Sequence, residues 1–270
     1  MKIYGPIVLP VDPNKILQFI SFLDLNNLSP ATITTYITAI SFVHKMANVY
    51  DPTARFCVQK LLCAVNKLRG KEDSRLPITL ILLSRLNTSL SSAIRNCYHR
   101  TLLKAMFSIA FFGLCRIGEI TIQPDGVVAL FRNQLIVNSD HLLLTITHFK
   151  HNKAQRPIVL KIFRQSDLSI CPLTAIIEYL SVRPDSEGPL FCFPDSKPIS
   201  RNFFTKHLKN CVNFCGLDSK KYSSHSFRIG GASFLASLGL SDTQLRTMGR
   251  WDSNAFLRYI RNQRFIYNNL

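Results

Sequence analysis

His225 and Arg228, three apart in SSHSFRIGGASFLASLGLSD, share one face of an expected helix and fall in its first turn. Free backbone N–H groups and the positive dipole end favour an anion there, so a phosphate fits the pair. Ser224 is the expected N-cap, and Phe227, Gly231, Phe234 and Leu238 mark the inward stripe. Gly239 ends this helix, and Ser241 with Gln244 forms a capping box for the next. A second cation, Arg116, follows a nearly unbroken apolar stretch in FFGLCRIGEI. A charge so close to a core must be paired or serve a site, and Glu119, three residues on, can hold it. A structural Arg116–Glu119 pair explains that segment as well as a functional arginine does. Downstream, GRWDSNAFLRYIR carries Trp251 and Tyr259; taken alone, Tyr259 at helical spacing from Phe256 reads as a packing aromatic. Cys211 and Cys215 stand at helical spacing with His207 one turn earlier, but no fourth ligand is near, so no zinc is expected. The eight cysteines (57, 63, 97, 115, 171, 192, 211 and 215) lie mostly in apolar stretches and read as reduced thiols.

The elements that must carry these residues follow from periodicity. Residues 14–24, 31–49 and 55–68 repeat apolar side chains at helical spacing, with Pro30 and Pro52 in the first turns of the latter two. The stretch RGKEDSR at 69–75 has no apolar residue and reads as an exposed linker, which sets domains of 1–72 and 73–270. Residues 91–114 predict one long helix, apolar nearly all round at its end and therefore central. Strand character appears at 134–137, 141–149 and 157–163, the last two forming a hairpin across KHNKAQR. Helices return at 172–182, 200–214, 225–238, 242–248 and 254–264. The expected fold class is mainly α with a small antiparallel β-sheet (α+β).

Lys plus Arg total 33 against 16 Asp plus Glu, a net charge of +17, in a chain that is 47% hydrophobic. That hydrophobic share excludes disorder, and the charge points to a polyanion. The bias is concentrated late, with 12 basic residues against 3 acidic between 197 and 264, which favours nucleic acid over a solubilising face. The longest apolar run, 105–115, is too short for a bilayer, and MKIYGPIVLPVD lacks the layout of a secretory leader, so no membrane partner is expected.

Together, Arg116, a hairpin lysine (Lys150), His225 with Arg228, then Trp251 and Tyr259 run in an order and spacing similar to the tyrosine recombinase, or phage-integrase-like, family. The resemblance covers nearly the whole chain. HSFRIGGASFLASLGLSDTQLRTMGRWDSNAFLRYIR most resembles recombinases of eukaryotic mobile elements of Crypton and DIRS-like type, and LSPATITTYITAISFVHK resembles the helical core-binding domain preceding their catalytic domain. The resemblance implies site-specific recombination of double-stranded DNA by metal-free transesterification without a cofactor. Tyr259 would attack the scissile phosphate and form a 3′-phosphotyrosyl link. His225 would serve as base, Arg116 and Arg228 would clamp the non-bridging oxygens, and Lys150 would protonate the departing 5′-oxygen. Trp251 stands where many members have histidine and can donate through its indole N–H. Glu119 would hold Arg116. Lys153 competes with Lys150 in the same turn, and Tyr267 competes with Tyr259.

The resemblance also implies self-association on DNA, as a dimer on a site and a tetramer in a synapse, and action in the nucleus. Relatives carry a further basic helix before the one matching 14–24, so the first domain is expected to lack part of its clamp; residues 1–76 hold 9 basic and 5 acidic side chains. A domesticated or decayed copy that binds DNA without cutting it is the alternative. Retention of every candidate catalytic position favours the active reading.

Overall fold

The computed structural model describes residues 8–70, 73–128, 130–149 and 156–260. It divides into two compact units, Met1–Ser74 and Arg75–Leu270. In the first, α1 (Pro13–Leu25), α2 (Pro30–Met46) and α3 (Phe56–Arg69) each turn one stripe inward. Ile16, Ile20 and Leu23 from α1 meet Ile33 and Ile37 from α2 and Val58, Leu62 and Val65 from α3, at the three- and four-residue spacing that puts side chains on one helical face. Ser29 caps α2 by accepting from Thr32 N–H, with Pro30 in its first turn. Pro52 does not open the third helix as expected. It starts a 3₁₀ turn, Pro52–Ala54, capped by Asp51, and extended Arg55 (ψ 140°) separates that turn from α3.

In the second unit the helix expected over 91–114 starts instead as α5 (Cys97–Phe112), and 91–93 close an earlier helix that was not expected, α4 (Leu80–Ala93). Extended Ile94 breaks the path, and the Asn96 side chain accepts from His99 N–H at 2.9 Å to start a new helix. Both helices send apolar stripes into one core, so periodicity runs through the break. Helix α5 is the centre of that core, buried continuously from Ala105 to Phe111. A tight turn carries the chain from α5 into the short α6 (Ile117–Ile120).

Strands β1 (Leu135–Val137), β2 (His141–Ile146) and β3 (Ile158–Phe163) form an antiparallel sheet in that order, with Leu142 opposite Ile162 and Leu144 opposite Leu160. Their alternation buries Leu142, Leu144, Ile146, Leu160 and Ile162 and exposes Val159 and Phe163. Helices α7 (Pro172–Leu180), α8 (Arg201–Phe214), α9 (Ser224–Ser237) and α10 (Asp242–Gly249) complete the unit. The molecule is thus mainly helical with one small antiparallel sheet, and no described helix is long and apolar enough to cross a membrane.

Two boundaries at the site differ from expectation. The N-cap of α9 is Ser223, not Ser224: its Oγ accepts from His225 N–H, and its own N–H donates to Ser226 Oγ. The helix expected over 254–264 is a 3₁₀ turn, Asn254–Arg258, within the described residues. Arg246 holds Asn254 Oδ1, and Tyr259 N–H reaches back three residues to the Phe256 carbonyl. Leu238, expected inward, is 61% exposed, because α9 has reached its C-cap there.

Candidate active site

The site begins just past the carbonyl end of α5. The last carbonyls of a helix lack intrahelical partners, and here the chain turns sharply through Leu114 at φ 46°, a left-handed conformation that is uncommon for leucine. The N–H groups of Gly113, Leu114 and Cys115 satisfy the Ile109, Phe111 and Ala110 carbonyls, and two guanidinium groups serve the carbonyls of the turn itself. Arg250 Nη1 donates to Gly113 O at 3.2 Å and Met248 O at 2.9 Å, and its Nη2 to Leu114 O at 2.9 Å. Arg228 donates to Leu114 O and Gly249 O. Arg250 is itself left-handed (φ 55°, ψ 50°), just past the end of α10.

Glu119 binds this cluster together. Its Oε2 accepts from Arg116 N–H at 2.9 Å and from Arg250 Nη2 at 2.7 Å, while Oε1 accepts from Arg116 Nη1 at 3.0 Å. Three arginines therefore surround one buried carboxylate. Burial works to raise the Glu119 pKa, but Arg250, Arg228 and Arg116, in that order, outweigh it and hold the group below the ordinary carboxylate range. Burial, reinforced by Arg116 and Arg250, brings Arg228 down to about 9, with Glu119 and Tyr259 opposing. It is still cationic at neutral pH.

Helix α9 reaches this cluster because of its paired glycines. A Cβ at Gly230 would overlap the Ile78 carbonyl, and one at Gly231 the Phe111 carbonyl, so only glycine lets α9 lie backbone-to-backbone against both segments. That approach buries Arg228 completely. It leaves His225, in the first turn, lining an open cleft of about 1010 Å³ with Arg75, Arg116, Thr147, His148 and Arg201. Glu119 is the single carboxylate among the described residues of its lining. Beside the cleft, the His225 and Tyr259 rings lie 4.8 Å apart between centroids, and Trp251 is 5.1 Å from Tyr259. The Arg228 guanidinium sits 4.1 Å from the Trp251 ring centroid and 5.5 Å from that of Tyr259, a cation over aromatic faces. A Cβ at Gly249 would overlap the Trp251 ring, so glycine there makes room for it.

The sequence matches no protein-family model and no curated protein. Solved structures do match. The chain is similar over 93% of its length to 69% of the XerH site-specific recombinase chain bound to palindromic difH substrate in a post-cleavage complex, with TM-score 0.70 and 17% identity. It is similar over 98% of its length to 86% of the Tn1549 transposon integrase chain in complex with circular intermediate DNA (TM-score 0.65, 15% identity). A lambda integrase dimer bound to a COC′ core site matches over 97% of this chain and 67% of that one (TM-score 0.61, 12% identity). The fold is that of the tyrosine recombinases.

On this recombinase fold the structure gathers His225, Trp251 and Arg228 around Tyr259. Arg116 is joined to Arg250 through Glu119 and a long bond from Arg116 Nη2 to Arg250 O (3.4 Å), and Arg250 shares the Leu114 carbonyl with Arg228. Arg228 does not line the cleft; its Nη atoms are spent on two carbonyls, and its Nε finds no acceptor among the described residues. The Trp251 indole N–H is likewise buried without a described partner. Lys150, Lys153 and Tyr267 lie outside the described residues, although 147–149, just before Lys150, line the cleft. Sequence reasoning passed over Arg250, Arg75 and Arg201. Arg250 carried only a weak signal, a cation between a helix-ending glycine and a candidate residue. In the cysteine-bearing helix α8, burial pushes Cys211 up to about 11, while His207 packs against Phe203 with ring centroids 4.4 Å apart. Among the described residues no group of three metal-ligating side chains comes together.

Proposed function

We propose that this chain is a tyrosine recombinase in activity as well as fold, a metal-independent DNA strand transferase of a mobile element of Crypton or DIRS-like type, acting in the nucleus. The observation that carries the reading is the His225–Tyr259 pair, 4.8 Å between ring centroids, with His225 facing a cleft rich in arginine. Similarity in fold to recombinases solved with DNA supports it.

The phenol oxygen of Tyr259 attacks phosphorus, its proton passing to His225. The P–O5′ bond breaks, and Lys150 supplies the proton to the leaving oxygen. The covalent link conserves the phosphodiester bond energy, so the freed 5′-hydroxyl reverses the reaction on another strand. Arg116 faces the cleft and meets the negative charge that gathers on the non-bridging oxygens. Arg228 joins it by exchanging its bonds to the Leu114 and Gly249 carbonyls for phosphate oxygens. Residues 1–72 serve as a core-binding domain on the duplex, and copies of the chain pair on a site and assemble as a tetramer in the synapse.

A randomised pool of nicked duplexes, scored for denaturation-resistant protein–DNA adducts, tests this. Tyr259→Phe should abolish the adduct and preserve duplex binding; an undiminished adduct, or one lost only in Tyr267→Phe, removes Tyr259 from its role. Binding should weaken with salt, log K falling against log salt by about 0.9 per phosphate contact. The second reading, a copy that binds without cutting, draws on the burial of Arg228, and duplex binding with no adduct would select it.

A further inference from the structure

Of the three arginines around Glu119, Arg250 belongs to none of the steps above, yet its side chain is fully enclosed, 0% exposed against 20% for Arg116. Its bonds to Gly113, Leu114 and Met248 satisfy backbone carbonyls. Its bond to Glu119 Oε2 does something else. A carboxylate beside a guanidinium tends to pair side-on, both oxygens taken by parallel N–H groups. Here Oε2 is already occupied by Arg250 Nη2 and by Arg116 N–H, so the Arg116 guanidinium is left with Oε1 alone. We infer that Arg250 is a positioning residue: by saturating Glu119 Oε2 it restricts Arg116 to end-on pairing and keeps the rest of that guanidinium presented to the cleft.

A second link reinforces the first. The carbonyl oxygen of Arg250 accepts from Arg116 Nη2 at 3.4 Å, and it points that way because Arg250 is left-handed. The same conformation places Trp251 over Arg228. Without Arg250, Glu119 would sit in a poorly solvated pocket with Oε2 held only by Arg116 N–H, and the Arg116 guanidinium is placed to take the vacated position. The fork would then swing toward Glu119 and away from the cleft. Lysine at 250 can still reach one carboxylate oxygen with a point charge, whereas methionine cannot.

The proposal rests on the recombinase reading for its consequence in cleavage, so the test has one arm that needs no DNA. In the full chain labelled with ¹⁵N-arginine, the Arg116 side-chain signals, assigned by their loss in Arg116→Lys, should shift in Arg250→Met and return toward their original positions in Arg250→Lys. Arg116 signals identical in the wild-type chain and Arg250→Met would overturn the proposal. The second arm uses adduct-forming members of the nicked pool, carrying either a phosphodiester or a neutral methylphosphonate at the scissile position. Misplacing the Arg116 charge should slow the phosphodiester by about tenfold or more and the methylphosphonate far less, because the neutral group has no anionic oxygen to stabilise. Equal slowing of both would show a merely structural residue and also overturn it. If the wild-type chain forms no adduct while the Arg116 signals respond, the cleavage reading fails and the positioning of Arg116 stands.

Discussion

Replacing Glu119 by glutamine preserves shape and removes one charge, which makes it a direct probe of the cluster. In the folded protein Glu119 is 2% exposed and accepts from Arg116 N–H, Arg116 Nη1 and Arg250 Nη2. Glutamine keeps one accepting oxygen, but its NH₂ group would face donors, and Arg250 would remain fully enclosed without a carboxylate partner among the described residues. Breaking a buried pair by removing one partner costs roughly 3–5 kcal/mol. The reference change is Glu178→Gln, whose pair with Lys104 is 45% exposed on the glutamate side and is worth about 0–1 kcal/mol. Trp251 is the chain's one tryptophan and lies against Arg228, so its fluorescence during urea unfolding reports the stability of this unit. Acid supplies an internal check. The folded pKa of Glu119 lies below its ordinary value of 4.5, so its contribution is complete above that value and is lost as pH falls through the lower, folded one. The gap between wild type and Glu119→Gln should therefore be widest near neutral pH and close in acid. A gap below about 1 kcal/mol at neutral pH, no larger than an exposed pair's, would refute the idea that one carboxylate holds Arg116 and Arg250 together.

Gly230→Ala should destabilise the second unit by about 1–3 kcal/mol or more in thermal melts, since the new methyl would overlap the Ile78 carbonyl. Gly118→Ala should be tolerated, because its Cβ would lie 3.7 Å from Arg201 Nη2, an ordinary contact. A thiol reagent applied to the native protein should modify the exposed Cys57, Cys63 and Cys97 and spare Cys115 and Cys211, which burial pushes up to about 12 and about 11; prompt modification of Cys115 would contradict its enclosure.

Much of the architecture was legible because local rules and the fold agree. Ile16, Ile20 and Leu23, or Leu142, Leu144 and Ile146, announce their element by spacing alone, since each period belongs to one backbone geometry. Where local rules failed, a side chain had intervened. Asn96 started α5 by capping it, six residues into the expected helix, and Asp51 with Arg55 diverted Pro52 into a 3₁₀ turn. At the site, the Arg116–Glu119 pairing could be read from spacing, because an i, i+3 pair meets on any helical turn, whereas the set of Arg116, His225, Arg228, Trp251 and Tyr259 came from the family resemblance.

What the sequence determined by itself is therefore the inventory of periodic elements, the charge bias, and those partners that lie within one turn of each other. Tertiary structure alone decided that Arg250, 131 residues from Glu119, shares its carboxylate, and that Arg228 faces two carbonyls inside the fold rather than the cleft. The physical reason is the end of α5. Local N–H groups satisfy its last carbonyls, but those of Gly113 and Leu114 in the turn beyond find their donors only in the Arg228 guanidinium, carried in by α9 packing through Gly230 and Gly231, and in that of Arg250 at the end of α10.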